Sequence, residues 1–341
     1  MLANDHDFGT ADLTAKLDHL AKQCTAFAGG DARHALGQLA VTAVLLLAVV
    51  SAMFATVHDA LWLTLLLAVP AALLVVRLFI FQHDCGHDSF FPTRTANDLC
   101  GRILSVFTMT PYGLWKREHA FHHASCGNLE KRGVGDITTL TVKEYQALST
   151  FGRLWYRLYR NPLFLFGFGT PLYFLVLQRL PWTHGFPARD CWKSVVALDL
   201  AMIAFYGSLG YVFGATEVAL IVIPIVFIAA AAGGWLFFVQ HQFEGTYWEH
   251  STGWQFKNAA VCGSSYYVLP PVINWFTGHI GLHHIHHLNG RIPNYRLNAC
   301  LDAIPEFKSI NRITLWQSLA CVRLKLWDED RHKLIGFAEL A

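Results

Sequence analysis

Apolar residues run nearly unbroken in four places along the chain, and polar residues gather between and after them. The first run extends from about Ala35 to Thr56 and the second from Leu61 to Phe81, with only a short turn holding His58 and Asp59 between them. At ~1.5 Å of rise per residue, each run can cross a ~30 Å hydrocarbon layer, and so short a connection makes the two a transmembrane hairpin. Arg77 lies near the exit, where its stem is expected to snorkel toward headgroups. A second pair, about Ser194 to Gly214 and Glu217 to Val239, predicts another hairpin. Within it, Pro224 marks a kink, and the Gly233-Gly234 pair permits a close helix approach. The expected fold class is an all-α membrane protein with four transmembrane helices in two hairpins.

The segment between the hairpins has a different character. Residues 82 to 193 carry thirteen of the chain's 26 Lys and Arg residues, whereas the connections at 57 to 60 and 208 to 218 carry none. By the positive-inside rule the basic segment is cytoplasmic and the two bare connections lie on the opposite side. One stretch competes as a fifth crossing: NPLFLFGFGTPLYFLVLQRLP, residues 161 to 181. A single crossing there would put the histidines before it and those after Val239 on opposite sides of the bilayer. Its Pro and Gly content, with the adjoining FGRLWYRLYR at 151 to 160, fits an interfacial or re-entrant element. The expected organisation is a cytoplasmic N-terminal segment 1–34, a membrane domain 35–330 with crossings at about 35–56, 61–81, 194–214 and 217–239, and a tail 331–341.

Composition agrees with a membrane protein. Of 341 residues, 54% are hydrophobic and only 15% charged, and the eleven Trp and eleven Tyr suit a headgroup boundary. A net charge of +2, with no basic cluster interleaved with aromatics, argues against nucleic acid as a partner. The first 35 residues hold Asp5, Asp7, Asp12, Asp18 and Asp31, unlike a cleaved signal. Eight dispersed cysteines with no CxxC pair exclude a cysteine-based metal site.

Histidine spacing carries the chemistry. HDCGH places His83 and His87 at i, i+4, which on a helical extension stacks both rings on one face. REHAFHH places His119, His122 and His123 at i, i+3 and i+4, and HHIHH repeats the pattern with His283, His286 and His287. All three groups fall on the expected cytoplasmic side. Imidazole suits Fe, Cu, Zn or Ni, so donor type alone does not name the metal. Eight imidazoles exceed one coordination sphere but fit two first-row ions with positions left for water or oxygen. Zinc hydrolysis is disfavoured by the excess of ligands and the lack of HExxH.

These motifs resemble the three histidine boxes of the integral-membrane fatty acid desaturase family. The wording WKREHAFHHA (115–124), SCGNLEKRGVGDITTLTVKEY (125–145) and GLHHIHHLNGRIPNYRL (281–297) is similar to the acyl-lipid omega-6 or delta-12 branch and its bacterial relatives. The resemblance covers about residues 35 to 330. It implies a cytoplasmic helical cap holding a non-haem di-iron site, which uses O2 and two external electrons to make a cis double bond in a fatty acyl chain of a membrane lipid. His83, His87, His119, His122, His123, His283, His286 and His287 become ligand candidates, and His241 in FFVQHQFEGTYW occupies the place of a further family histidine. Asp84, Asp88, Glu118 and Glu244 are expected to orient imidazole N–H groups, and for Asp136 such a role competes with loop capping.

His279 stands where many relatives resembling this branch carry Asn, and His284 is displaced from the ligand face. His250 is expected at the surface or behind the ligands, while His6, His19, His34, His58, His184 and His332 default to structural or solvated roles. Basic residues Lys116, Arg117, Lys131 and Arg132 are expected to meet an anionic headgroup or an acidic electron donor. No HPGG stretch resembles a fused cytochrome b5, so electrons are expected from a separate protein such as ferredoxin or cytochrome b5. The likeness to bacterial relatives places the chain in a bacterial inner (plasma) membrane. One rival is a related di-iron hydroxylase or ketolase acting on a lipid, alkane or carotenoid. Another is a metal transporter, which calls for ligands inside the crossings rather than beyond the helix ends.

Overall fold

The computed structural model describes residues 10–181 and 185–340, so His6 and His184 lie outside the described residues. Four helices are long and apolar enough to cross a membrane: α2 (Ala32–Thr56), α3 (Leu61–Gly86), α10 (Ala188–Phe213) and α11 (Ala215–His241). Before them comes α1 (Thr10–Cys24). Between α3 and α10 lie α4 (Arg94–Thr108), α5 (Tyr112–Ser125), α6 (Val142–Ala147), α7 (Thr150–Tyr159) and the short α8 (Pro162–Phe164) and α9 (Thr170–Leu175). After α11 come α12 (Phe256–Cys262), α13 (Pro271–Phe276), α14 (His283–Leu288), α15 (Asn294–Ala303) and α16 (Leu315–Cys321). Two small sheets staple the polar half. Strands β2 (Tyr266–Val268) and β3 (Arg312–Thr314) pair in parallel. In the other sheet β1 (Leu140–Thr141), β4 (Leu326–Asp328) and β5 (Lys333–Ile335) follow in that order.

Helix length explains how the apolar bundle delivers polar groups. The 26 residues of α3 and 27 of α11 extend about 39–40 Å, roughly 9 Å beyond a ~30 Å hydrocarbon core. Their last turns therefore stand clear of lipid, and those turns carry His83 and His241. Buried Met53, Ala68, Ala72, Ile221, Ile225 and Phe238 join α2, α3 and α11 in one core. Small residues on α3 let its neighbours approach, which makes it the most enclosed of the four. A Cβ at Gly234 would lie 2.4 Å from the Thr170 methyl, so glycine is needed where α11 meets α9.

Residues 162 to 180 do not form a long helix. They break into α8, a π-helical turn at Leu165–Gly169, α9 and a 3-10 turn at Leu177–Arg179. Phe166 packs against Trp235 and Phe238 of α11, while Leu163 and Phe168 face outward. Arg77 departs from the sequence expectation. Rather than snorkelling it is buried, with its guanidinium 4.0 Å from the Trp275 ring centre, Nε donating to Thr42 Oγ1 (3.2 Å) and Nη1 to the Trp275 carbonyl. The α13 turn folds back over α3, and it and α2 each supply one acceptor in place of lipid headgroups. Asp199 accepts from Arg179 Nε at 2.9 Å, a structural contact.

Candidate metal centre

Nine histidines converge from four parts of the chain. His83 ends α3, His87 caps it, His119, His122 and His123 lie on α5, His241 ends α11, and His283, His286 and His287 lie on α14. They form two groups, His83, His87, His119, His123 and His286 in one and His122, His241, His283 and His287 in the other. Within each group the available nitrogens lie within 4.8 Å of one another. The histidine boxes are thus divided between sites. On α5, the i, i+4 pair His119 and His123 turns to the first group while His122 turns to the second, and α14 splits likewise between His286 and the pair His283 and His287. The His123 and His287 rings stack across the divide with centres 4.0 Å apart.

Neighbouring acceptors fix which nitrogen faces inward. His122 Nδ1 donates to Asp136 Oδ1 at 2.5 Å, and His241 Nδ1 to the Gly263 carbonyl at 3.1 Å. Each ring thereby turns Nε2 inward, the two facing each other at 3.2 Å, and His283 Nε2 lies 3.0 Å from that of His241. In the first group, Nε2 of His123 lies 3.1 Å from those of both His119 and His286. Ring nitrogens that converge this closely from separate elements are placed as the donors to a shared cation would be. The buried nitrogens His83 Nε2, His87 Nε2 and both of His287 have no hydrogen-bond partner, an arrangement that costs about 1–3 kcal/mol per group in an isolated protein. Burial, reinforced by neighbouring imidazoles, pushes His87, His119, His123, His283, His286 and His287 well below the ordinary histidine pKa. These rings are neutral at pH 7 and able to donate a lone pair. All of this fits a pair of imidazole-bound metal ions.

Packing holds the rings in place. Trp115, one turn before His119 on α5, stacks on its ring at 4.5 Å and 14°, and Phe237 packs against His122 and His241. A Cβ at Gly290 would lie 2.8 Å from His87 Nδ1, so the glycine after HHLN is what admits the first box to the third. Asp84 Oδ1 accepts from His83 Nδ1 at 3.2 Å, and its Oδ2 is held by Asn294 N (2.7 Å) and Nδ2 (2.8 Å). Asn294 and the Gly263 carbonyl were not singled out in the sequence. Their contact with the site depends on tertiary folding, although Asn294 directly follows the third box as the N in RIPNYRL. Cys126 Sγ, likewise unanticipated, lies 3.4 Å from His241 Nδ1.

Other expected positions fall elsewhere. Asp88 pairs with Lys116 and Glu244 with Lys333, so neither orients a ring. Glu118 meets Tyr173, and burial raises its carboxyl to about 7. His279 adopts φ 59° and bonds to Asn298 Nδ2 at 2.9 Å, outside both groups. His284 bonds to the Phe307 carbonyl at 3.1 Å. At the surface, His250 lies between Glu130 (2.5 Å) and Glu329 (3.1 Å).

The expected basic patch is mostly neutralised within the fold. Lys116 is held by Asp88 and Asp98, Arg117 by Asp190, and Arg132 by both oxygens of Glu144. Adjacent basic letters did not reveal carboxylates that sit up to 73 residues away in sequence. Lys131 alone of the four forms no ion pair among the described residues.

Residues 60–317 match the sequence model of the family described as fatty acid desaturase. The chain is 38% identical over 322 residues to a fatty acid desaturase of Bacillus subtilis, an alignment covering 94% of this chain and 91% of that one. It is 26% identical over 260 residues to an sn-1 acyl-lipid omega-3 desaturase (ferredoxin) of Synechocystis sp., covering 71% and 68% of the two chains. An sn-1 oleoyl-lipid 12-desaturase of the same organism is also 26% identical, over 245 residues, covering 67% and 64%. Omega-3 and 12-desaturases therefore match equally well, and the likeness does not separate those branches. With its four apolar helices and paired histidine groups, the chain belongs to the fatty acid desaturase family, membrane-bound oxidoreductases that introduce unsaturation into a fatty acyl chain.

Proposed function

We propose that this enzyme is an acyl-lipid desaturase with two iron ions, one held by His83, His87, His119, His123 and His286 and the other by His122, His241, His283 and His287. The observation that carries the reading is the pair of facing Nε2 atoms of His122 and His241, each aimed inward by a hydrogen-bond partner on the far side of its ring. Imidazole-only donor sets suit a redox-active first-row metal, and an iron pair supplies oxygen activation when bound. The net reaction consumes O2, two electrons and two protons, removes two hydrogens from adjacent methylenes, and releases a cis alkene and two waters.

The protein's own contribution is placement. Asp136, Asp84 and the Gly263 carbonyl hold the inward tautomers, while Trp115 and Phe237 brace the rings and limit water. Successive methylenes are electronically nearly alike, so regiochemistry must come from how the acyl chain is held rather than from its reactivity. The box wording supports omega-6 or delta-12 placement, and the acyl-lipid and ferredoxin relatives support a lipid-linked substrate and a ferredoxin donor, with cytochrome b5 as the other donor class. The bundle is read as two transmembrane hairpins in a bacterial inner membrane. In this reading residues 1–34 and the histidine site are cytoplasmic, 35–330 form the desaturase domain, 331–341 are the tail, and 161–181, with the adjoining 151–160, is an interfacial or re-entrant element.

The test is expression in a host of defined lipid composition with a competent reductase and ferredoxin, followed by lipid-class separation and double-bond-locating mass spectrometry. Loss of two mass units at the omega-6 or delta-12 position in an intact lipid supports the reading. A gain of oxygen would instead establish the hydroxylase alternative, and an unsaturation elsewhere would overturn the branch.

A further inference from the structure

Helix α7 leaves an apolar stripe uncovered. Phe151 is 78% exposed, Leu154 62%, Trp155 56% and Leu158 45%, at helical spacings of three and four residues. The stripe continues into Leu163, 84% exposed. A soluble surface would not hold so many large apolar groups together, whereas an amphipathic helix in a bilayer interface does.

Beside the stripe, α7 carries Arg153 and Arg157, one turn apart and both exposed, while its opposite face is buried through Tyr156 and Arg160. Unlike Lys116, Arg117 and Arg132, neither forms an ion pair among the described residues. Each is aimed rather than loose. Arg153 donates from Nε to the Leu148 carbonyl (3.1 Å) and from Nη2 to the Gln146 carbonyl (2.5 Å). Arg157 donates from Nε to Tyr145 Oη (2.7 Å), and its guanidinium lies 4.7 Å from the Phe337 ring centre. The two arginines, with Tyr145, Thr150, Leu154 and Leu340, line an open cleft of about 360 Å³. Among the described residues that line the cleft there is no carboxylate to pair with the two guanidinium groups.

We propose that this cleft binds the phosphate of an anionic membrane phospholipid, with Arg153 and Arg157 as its donors and the Leu154 side of the stripe meeting the acyl chains. The charge calls for an anion, guanidinium geometry suits phosphate oxygens, and the adjoining apolar stripe selects a lipid over a soluble phosphate. The site rests on the interfacial placement of residues 151–181. It is distinct from the histidine groups and is read without turnover, so its failure leaves the desaturation assay untouched.

The test uses the full chain in phosphatidylcholine nanodiscs carrying a graded fraction of phosphatidylglycerol, with bound lipid counted by native mass spectrometry. The wild type is expected to retain phosphatidylglycerol preferentially, and R153Q/R157Q to lose about thirtyfold in that preference, or about 2 kcal/mol. A K308Q/R312Q control, which removes the same charge elsewhere, should keep it. If the double variant does not fold, R153Q alone decides, with an expected loss of about fivefold. Undiminished preference in the arginine variants, equal loss in the control, or displacement of phosphatidylglycerol by millimolar inorganic phosphate would each overturn the proposal.

Discussion

Asn294→Ala tests how the first histidine group is held. Asn294 is fully buried, and its N and Nδ2 both grip Asp84 Oδ2, while the other Asp84 oxygen accepts from His83. Alanine keeps the main-chain donor and removes the carboxamide, whose Nδ2 is the one side-chain atom that bonds Asp84 and whose Oδ1 has no partner. A hydrogen bond to a charged group contributes about 1.5–3 kcal/mol, so the Asp84 carboxylate loses about that much of its anchoring. The effect on metal comes through a single ring, and loss of a partner behind a metal-bound histidine lowers affinity about 10–100-fold. Only one of the two groups contains His83. Chelator titration of the iron-loaded enzyme in nanodiscs, followed by Mössbauer spectroscopy, should therefore release one iron at a concentration about 10–100-fold lower than in wild type, leaving the other in place. Equal release of both ions from a folded variant, or retention of both at wild-type affinity, would refute the reasoning that Asn294 acts through Asp84 on His83.

Three further outcomes follow from the same geometry. His122→Ala should abolish turnover and lower the iron content of purified protein, because no other α5 ring reaches the second group. Gly290→Ala should displace the His87 ring, since the added Cβ falls 2.8 Å from Nδ1, and should lower first-group iron affinity about tenfold in a chelator titration without unfolding the chain. At the surface, Glu130 and Glu329 raise the His250 pKa, while His250 and Ser251 hold Glu130 down at about 2. Stability from protonated His250 is full below the unfolded histidine value of about 6.5 and fades as pH rises through the higher folded value, whereas that from ionised Glu130 is full above about 4.5 and fades toward 2. Thermal midpoints between pH 6 and 9 should therefore fall with rising pH more steeply in wild type than in His250→Gln; parallel curves would show that the junction contributes nothing.

The long apolar helices were legible because run length is a property of neighbouring letters, and the histidine spacings because i, i+3 and i+4 are fixed by helix geometry. What was not legible depends on distant partners. Arg77 reads as a snorkelling residue until α13 is seen to fold over it, and Lys116, Arg117 and Arg132 read as a free patch until their carboxylates are located. Asn294 and the Gly263 carbonyl carry no spacing signal toward Asp84 and His241, which they reach from 210 and 22 residues away by number. Where the fold is closed by such long-range contacts, local pattern indicates which residues are polar but not what they touch.

The division of the boxes follows from the same distinction. Three rings at i, i+3 and i+4 share a face of α5, yet the face is wide enough that His122 diverges from His119 and His123 toward α11. The facing helix α14 mirrors this, sending His286 one way and His283 and His287 the other. Each group is thereby built from three chain segments: α3, α5 and α14 for one, and α5, α11 and α14 for the other. Neither is complete until its three segments have come together. Ions that bind only the assembled site would then stabilise the assembly that makes it.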